Sequence, residues 1–551
     1  MKKNSIFKVV LLVILCAVVC TWIFPGLSFS GQLTEGEITQ VGIFDLASYA
    51  LDLFRYFPFI LITVLSIGAF YGVAYRIPAY RVLLDTIVEK FKGKENIFLI
   101  ATIVLISVIV SVTGLSVGML FVFPFVISVI LLMGYNKLVA ASTTVGSVMV
   151  GLLGTTIGSS SVTYINYILG TKTTDQMIFK VILLLVGMAL LIVHVLMYSK
   201  KTKNDTDKVL AYVPIVDDEV VEVKEKRTFK LFTKKEKKVA VKSPAKKDET
   251  KSTKKTTSKV STKKSAASKK AATTKKKAPA KKNAKKTRAN DNKNGSVKVV
   301  KNTKKPSIIP FIVLFDLALV IIALGTFDWS GIANAKWPTD ALKSINDFKI
   351  FGFPILAKVL GTNSLAAFGS WTLNVEVPVT IILTTCILAF IYGIKFDKFI
   401  EGIVDGIKKA FIPALIMLLA YLVLIVATYH PFQLHIAKFF LTMTKGLNVV
   451  TMTIAVMFAS LFNVDSIYVA QSTLPYAVSV VDKASLSPLL AIIWQSVYGA
   501  TMLIAPTSVI LIGTLSYLEI PYTQWIKHIW KLFLELLVAL IVIFFIASLV
   551  I

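Results

Sequence analysis

The chain has 551 residues, 55% of them apolar, and a mean hydropathy of +0.73. That balance excludes a soluble globular domain and requires a lipid-embedded body. The formal charge of +30 does not describe that body. Between Lys200 and Pro306 stand 36 Lys plus Arg against 11 Asp plus Glu, so +25 of it lies in one segment.

In chain order, Met1-Lys2-Lys3 precedes an apolar run from Ile6 to Phe24, which reads as a retained first helix with a cytoplasmic N-terminus. An amphipathic piece, Phe44 to Arg55, completes a first region of residues 1–55 at the outer interface. A first transmembrane repeat covers 56–199. Its span Tyr56 to Tyr75 leads to a basic connector, Arg76 to Asn96. The apolar sequence that follows is broken at Thr113-Gly114-Leu115-Ser116-Val117-Gly118, which predicts a re-entrant hairpin over 97–134. Two ordinary spans joined by a glycine turn are the plainer alternative. A discontinuous helix over 137–170 is interrupted between Gly154 and Ser161, and Ile178 to Met197 returns to the cytoplasm.

Residues 200–306 form a lysine-rich segment expected to be disordered and cytoplasmic; from Lys224 to Lys305 it is Lys, Ala, Thr, Ser and Pro with almost no apolar residues, which cannot bury a core. Anionic lipid headgroups or nucleic acid phosphates are its expected partners, the plain alternative being a solvated loop. Its lysine repeats carry no aromatic for base stacking. A linking region over 307–377 holds the span Ile308 to Thr326 and an outer stretch with Trp329, Trp337 and Trp371. The second repeat, 378–551, begins with Pro378 to Ile394, a connector from Lys395 to Lys409, and a span from Phe411 to Thr428. It continues with a hairpin over 448–482 centred on Asn463-Val464-Asp465-Ser466. A discontinuous helix over 486–518 follows, interrupted at Ala505-Pro506-Thr507-Ser508, and a closing span runs from Trp525 to Leu549.

The halves share landmarks. Tyr71-Gly72 and Tyr392-Gly393 each end an apolar run, and Pro124 and Pro475 each open a similar hexapeptide. The first pair lies 52 residues before its proline and the second 82. The surplus is enough for one extra span at the roughly twenty residues a span needs, so the second hairpin would insert from the opposite side. The fold class is therefore an all-α polytopic membrane protein, an inverted-repeat secondary transporter with about nine transmembrane helices and two re-entrant hairpins.

Interrupted helices inside a membrane are tolerated only against protein or a water-filled cavity. The four breaks are thus the expected substrate site: Thr113, Gly114 and Ser116; Thr155, Thr156, Ser159 and Ser160; Asn463 and Ser466; Thr507 and Ser508. For each run, close helix packing through small residues is the competing explanation. Asp465, an acid within a broken apolar run, is the expected ion-coupling residue; an exposed turn is the alternative. Sodium or a proton is the coupling ion, with sodium placed near Gly158, Ser161 and Pro506. No cofactor, metal-ligand spacing, Walker loop or nucleophile with a base is present in the sequence, which points away from an enzyme.

The helix end Gly68-Ala69-Phe70-Tyr71-Gly72, the Gly114 to Pro124 hairpin, Gly134-Tyr135, the Gly154 to Asn166 break, Ile504-Ala505-Pro506-Thr507-Ser508, and Ile520-Pro521-Tyr522 with Trp525 resemble the YfcC-like family of the ion transporter superfamily. That family includes basic amino acid antiporters and anaerobic four-carbon dicarboxylate carriers. The resemblance covers the membrane body and not the lysine-rich insert. It implies two opposed hairpins around a central substrate site. The family's first hairpin commonly carries acids after its glycines; here the stretch reads Leu115-Ser116-Val117-Gly118-Met119. The expectation is an ion-coupled carrier of a carboxylate or amino acid in the cytoplasmic membrane, compatible with a homodimer. A membrane scaffold whose lysine-rich loop tethers anionic lipid or nucleic acid is the alternative.

Overall fold

The computed structural model describes residues 5–36, 40–202, 306–331, 335–361, 365–444, 446–481 and 483–551. Most of them are helical. α1 (Ser5–Ile23) leads to a small antiparallel ribbon of β1 (Leu27–Phe29) and β2 (Leu33–Glu35). α2 (Ile43–Tyr56) and α3 (Pro58–Ala74) meet at a 58° bend, where Pro58 has no amide hydrogen to continue the ladder. α4 (Pro78–Lys90) is the basic connector. The first hairpin consists of α5 (Glu95–Thr113), a 3-10 turn (Val117–Phe121) and α6 (Phe123–Leu132). α7 (Lys137–Ala141), a π-helical turn (Ser142–Gly146) and α8 (Ser147–Leu153) make the first half of a broken helix, and α9 (Ser160–Leu169) the second. α10 (Met177–Thr202) ends in Lys200 and Lys201.

The lysine-rich segment beyond it, and with it every partner expected there, lies outside the described residues. α11 (Ile309–Thr326), two short helices α12 (Trp337–Asp347) and α13 (Ile355–Leu360), and α14 (Glu376–Ile391) follow. Then come α15 (Phe396–Tyr429), α16 (Gln433–Leu441), the second hairpin of α17 (Val449–Leu461) and α18 (Ser466–Val481), a second broken helix of α19 (Ser487–Thr501) and α20 (Val509–Leu518), and finally α21 (Tyr522–Val550).

One expectation is corrected. The connector Lys395 to Lys409 and the span Phe411 to Thr428 are not separate elements but one 34-residue helix, α15, with Pro413 inside it. A proline removes a single hydrogen bond and bends a helix, but it need not end one whose sides are packed. α15 is buried along its second half and lies against α1, α3 and α20.

The protein is an all-α polytopic membrane protein. Among the described residues six helices are long and apolar enough to cross a membrane, or seven if the bent α2–α3 pair counts as one span. α5 passes that test by length and composition, yet both ends of its hairpin lie together: Tyr135 Oη donates to Asn96 Oδ1 at 3.0 Å. Asn136 Nδ2 reaches Tyr198 Oη at 3.5 Å, so the open end of this hairpin sits where α10 delivers Lys200 and Lys201. α15 starts on that basic face, tied to the end of α3 by an Arg76–Asp405 ion pair of 2.6 Å. It ends on the other face, where His430 Nε2 is 2.9 Å from Tyr49 Oη. The second hairpin opens there: Tyr476 of α18 packs edge-on against Phe29 of the ribbon, with ring centroids 5.5 Å apart. The two hairpins are opposed.

The tightest crossing in the body is α3 on α15. Gly68 and Gly72 face Gly402 and Gly406 across it; a Cβ on Gly72 would stand 2.0 Å from Gly402 O, and one on Gly406 would stand 2.0 Å from Gly68 O. Two small-xxx-small faces thus bring the backbones into contact, a mode suited to lipid, where no hydrophobic force drives helices together. Gly393, its sequence counterpart in the second half, stands instead in an open left-handed turn at φ +63°.

Gly72→Val is expected to cost about 1–3 kcal/mol through overpacking against backbone, read as a lower thermal unfolding midpoint in detergent; Gly36→Val, where an added carbon meets only an ordinary contact at 3.8 Å, leaves the midpoint in place. In a chain with Cys16, Cys20 and Cys386 replaced, Lys137→Cys and Lys483→Cys are expected to react with an impermeant thiol reagent from opposite sides of a vesicle. Same-side labelling contradicts the opposed hairpins.

Candidate functional site

Each helix that stops inside the body frees amides and carbonyls that must find partners. The breaks meet this need through the hairpins. In the first half, Ser111 Oγ donates to Gly154 O at 2.6 Å, Ser111 O accepts from Thr156 N at 2.8 Å and Thr156 Oγ1 at 3.1 Å, and Val112 O accepts from Gly158 N at 2.7 Å. In the second, Thr507 Oγ1 donates to Leu461 O at 3.1 Å. The two threonine-to-hairpin bonds span 45 and 46 residues, so each half ties its own break to its own hairpin by the same device.

Buried aromatics complete the pairing. Tyr71 Oη donates to Phe121 O at 2.7 Å and Tyr498 Oη to Val464 O at 2.9 Å, one at each hairpin. Trp525 Nε1 donates to Leu503 O at 3.0 Å and Tyr522 Oη to Ile504 O, capping the carbonyls left where α19 stops. Gly114 turns the first hairpin in the left-handed region at φ +68°. A Cβ there would lie 2.5 Å from Ser159 Cβ, so only glycine lets the hairpin tip touch the break.

Around these ends lies a cavity of about 490 Å³. Its wall contains Thr113, Gly114 and Ser116 of the first hairpin, Ser159, Ser160 and Ser161 at the start of α9, Asp465 and Ser466 of the second hairpin, and Ser508 before α20. Parts of the chain hundreds of residues apart thus meet at one void. Thr155, Thr156, Gly158, Asn463, Pro506 and Thr507 are not in its wall. Thr156, Thr507 and the Gly158 amide are bonded to the hairpin arms, and Thr155 Oγ1 donates to Leu152 O at 2.7 Å. Gly158 O accepts from Asp328 N, and the ring of Phe327 fills the space beside its Cα. Asn463, two residues before Asp465, is buried, and its Oδ1 has no hydrogen-bond partner among the described residues.

Three helix N-termini open on the cavity. α18 is capped by its own acid: Asp465 Oδ1 accepts from Ile467 N at 2.9 Å. α9 and α20 carry no side-chain cap. Their first residues, Ser160 and Ser161 of α9 and Val509 and Ile510 of α20, line the void, where the aligned peptide dipoles favour negative charge. Among the described wall residues Asp465 alone carries a formal charge, and none of them is Lys, Arg or His. Sequence reasoning missed the rest of the wall, including Tyr56, Trp371, Asn374, Tyr421, Tyr468 and Tyr498. They belong to intact helices or loops with no local motif, so only their proximity in space reveals them.

A family model described as C4-dicarboxylate anaerobic carrier (DcuC) matches residues 4–248 and 268–549. The match runs into the lysine-rich segment, further than the motif resemblance reached. No curated protein matches the chain. Among solved structures, the YdaH transporter of Alcanivorax borkumensis, whose crystal structure is described as having an unusual topology, is similar at 13% identity and TM-score 0.38, over 98% of this chain and 97% of that one.

Tyr498→Phe and Trp525→Phe each strand a buried carbonyl, at about 1–3 kcal/mol each. Both are expected to lower the thermal midpoint in detergent without expelling the protein from the membrane; an unchanged midpoint in both contradicts the capping role.

Proposed function

Because the chain belongs to the C4-dicarboxylate anaerobic carrier family, we propose that it is a secondary carrier of C4-dicarboxylate-like anions that works by cation-coupled alternating access. The observation that carries this reading is the pair of uncapped N-termini, α9 and α20, opening on one cavity. Two such ends suit a ligand with two carboxylates, each received by backbone amides.

The same cavity argues for coupling. Each helix N-terminus is equivalent to roughly half a positive charge. A dianion beside an ionised Asp465 therefore leaves roughly two negative charges unbalanced in a wall with no basic side chain. Charge is costly in a membrane interior unless it is paired or hydrated. The substrate then travels with sodium or protons. Asp465 is the group that meets the cation, with the unpartnered Oδ1 of Asn463, two residues before it, as a further acceptor. Ser161 of the first break offers a further wall hydroxyl, 2.9 Å from Ser159 Oγ. The hydroxyls of Thr113, Ser116, Ser159, Ser160, Ser466 and Ser508 complete the substrate's hydrogen bonds. The absence of acids from the first hairpin tip fits an anionic cargo better than a basic amino acid.

We place the protein in the cytoplasmic membrane, with the basic face and the lysine-rich segment inside, as the positive-inside rule requires.

In proteoliposomes, succinate uptake is expected to be saturable and to rise with an imposed sodium or proton gradient. Asp465→Asn is expected to lower uptake by at least about tenfold, or about 1.4 kcal/mol, and to erase the gradient dependence. Gradient-driven uptake at the normal rate in that variant refutes the role of Asp465. Absence of any uptake or binding of C4-dicarboxylates by the unaltered protein refutes the reading itself.

A further inference from the structure

Four elements that wall the cavity also wall a second, smaller void nearer the basic face. On α20, Val509 and Ile510 border the cavity, while Gly513, Thr514 and Tyr517, one to two turns on, border the void. On α15, which runs the other way, Tyr421 borders the cavity and Lys409 the void. α3 repeats the order from Phe59 to Tyr71, and the first hairpin from Ser116 to Pro124. The two spaces therefore lie on one axis.

The void measures about 90 Å³ and lies beside the glycine crossing of α3 on α15. Its wall is almost wholly apolar, with one feature that packing does not explain. Thr514 is 3% exposed, and its Oγ1 has no hydrogen-bond partner among the described residues. Buried hydroxyls are nearly always paired, and an unpaired one is destabilising. Lys409 lines the same void. Between the two spaces stands the 3-10 turn Val117–Phe121, whose Met119 and Phe121 are fully packed. A 3-10 segment has poorer hydrogen-bond geometry than an α-helix and often marks a hinge.

The cavity's other boundary includes Trp371 and Asn374, just before α14, and Tyr56 at the end of α2, on the face of the N-terminal ribbon. The large space thus lies on the side away from the basic face, and the turn separates the small one from it.

We propose that the void is the inner half of the transport path, that the turn Val117–Phe121 is the gate between the halves, and that Thr514 and Lys409 form a second station for the dicarboxylate once it has passed. Lys409 supplies the cation that the described wall of the cavity lacks, and Thr514 supplies a hydroxyl that no described residue pairs. The α3–α15 crossing is the fixed wall against which the gate moves. This rests on the functional reading above.

The test uses the full chain in inside-out vesicles and as purified protein. In a chain with the native cysteines replaced, Thr514→Cys is expected to react with an impermeant thiol reagent several-fold faster during succinate turnover than at rest. Lys409→Gln is expected to slow succinate counterflow by about tenfold, whereas succinate still raises its thermal midpoint as in the unaltered protein; Lys409→Arg restores counterflow. Normal counterflow in Lys409→Gln overturns the second station. A Thr514→Cys reactivity that turnover does not change overturns the gate and leaves a packing void. If succinate fails to stabilise even the unaltered protein, the carrier reading fails first, and that result is distinct from either.

Discussion

A polypeptide that stops a helix inside lipid must give every freed peptide group a partner, and most of this structure follows from how that is done. Ser111, Thr156 and Thr507 exchange bonds between breaks and hairpin arms. Tyr71, Tyr498, Tyr522 and Trp525 reach carbonyls from neighbouring helices. An unpaired buried carbonyl costs about 1–3 kcal/mol, and several such groups lie within one small region. The pairing therefore requires the breaks to sit against the hairpins. Once they do, a cavity edged by polar backbone results.

What is left unpaired is as informative as what is paired. The carbonyl ends of the broken helices are capped by side chains, yet the amide ends of α9 and α20 are not. The site is thereby biased toward anions without a single basic side chain among the described residues of its wall. Fixed dipoles hold an anion less tightly than a lysine ammonium or an arginine fork would. For a carrier that must release its cargo on each cycle, a weak grip is the useful one.

Much of this was legible in the chain. The breaks between Gly154 and Ser161 and at Ala505-Pro506-Thr507-Ser508 interrupt apolar runs with small polar residues, and the helices stop at both. The same local signals misled where packing intervened. Pro413 and the change from charged to apolar sequence near Lys409 suggested two elements, but α15 runs on because its neighbours hold it. Tyr71-Gly72 and Tyr392-Gly393 look equivalent, yet one glycine makes a backbone contact and the other turns an exposed corner. The hydroxyls of Thr156 and Thr507 looked like ligands for a solute and instead bind hairpin carbonyls.

The sequence by itself determined that the chain is a membrane protein, where its helices are interrupted, and that its charge is gathered in one segment. These are properties of short stretches, set by transfer free energies and backbone chemistry that each residue carries with it. Only the tertiary structure decided that breaks hundreds of residues apart share one cavity, that Asp465 is the lone charge in its wall, and that α3 and α15 touch through glycine. Those facts are distances between remote residues. They arise when a whole body of helices satisfies its peptide groups and packing at once, and no single stretch of the chain contains them.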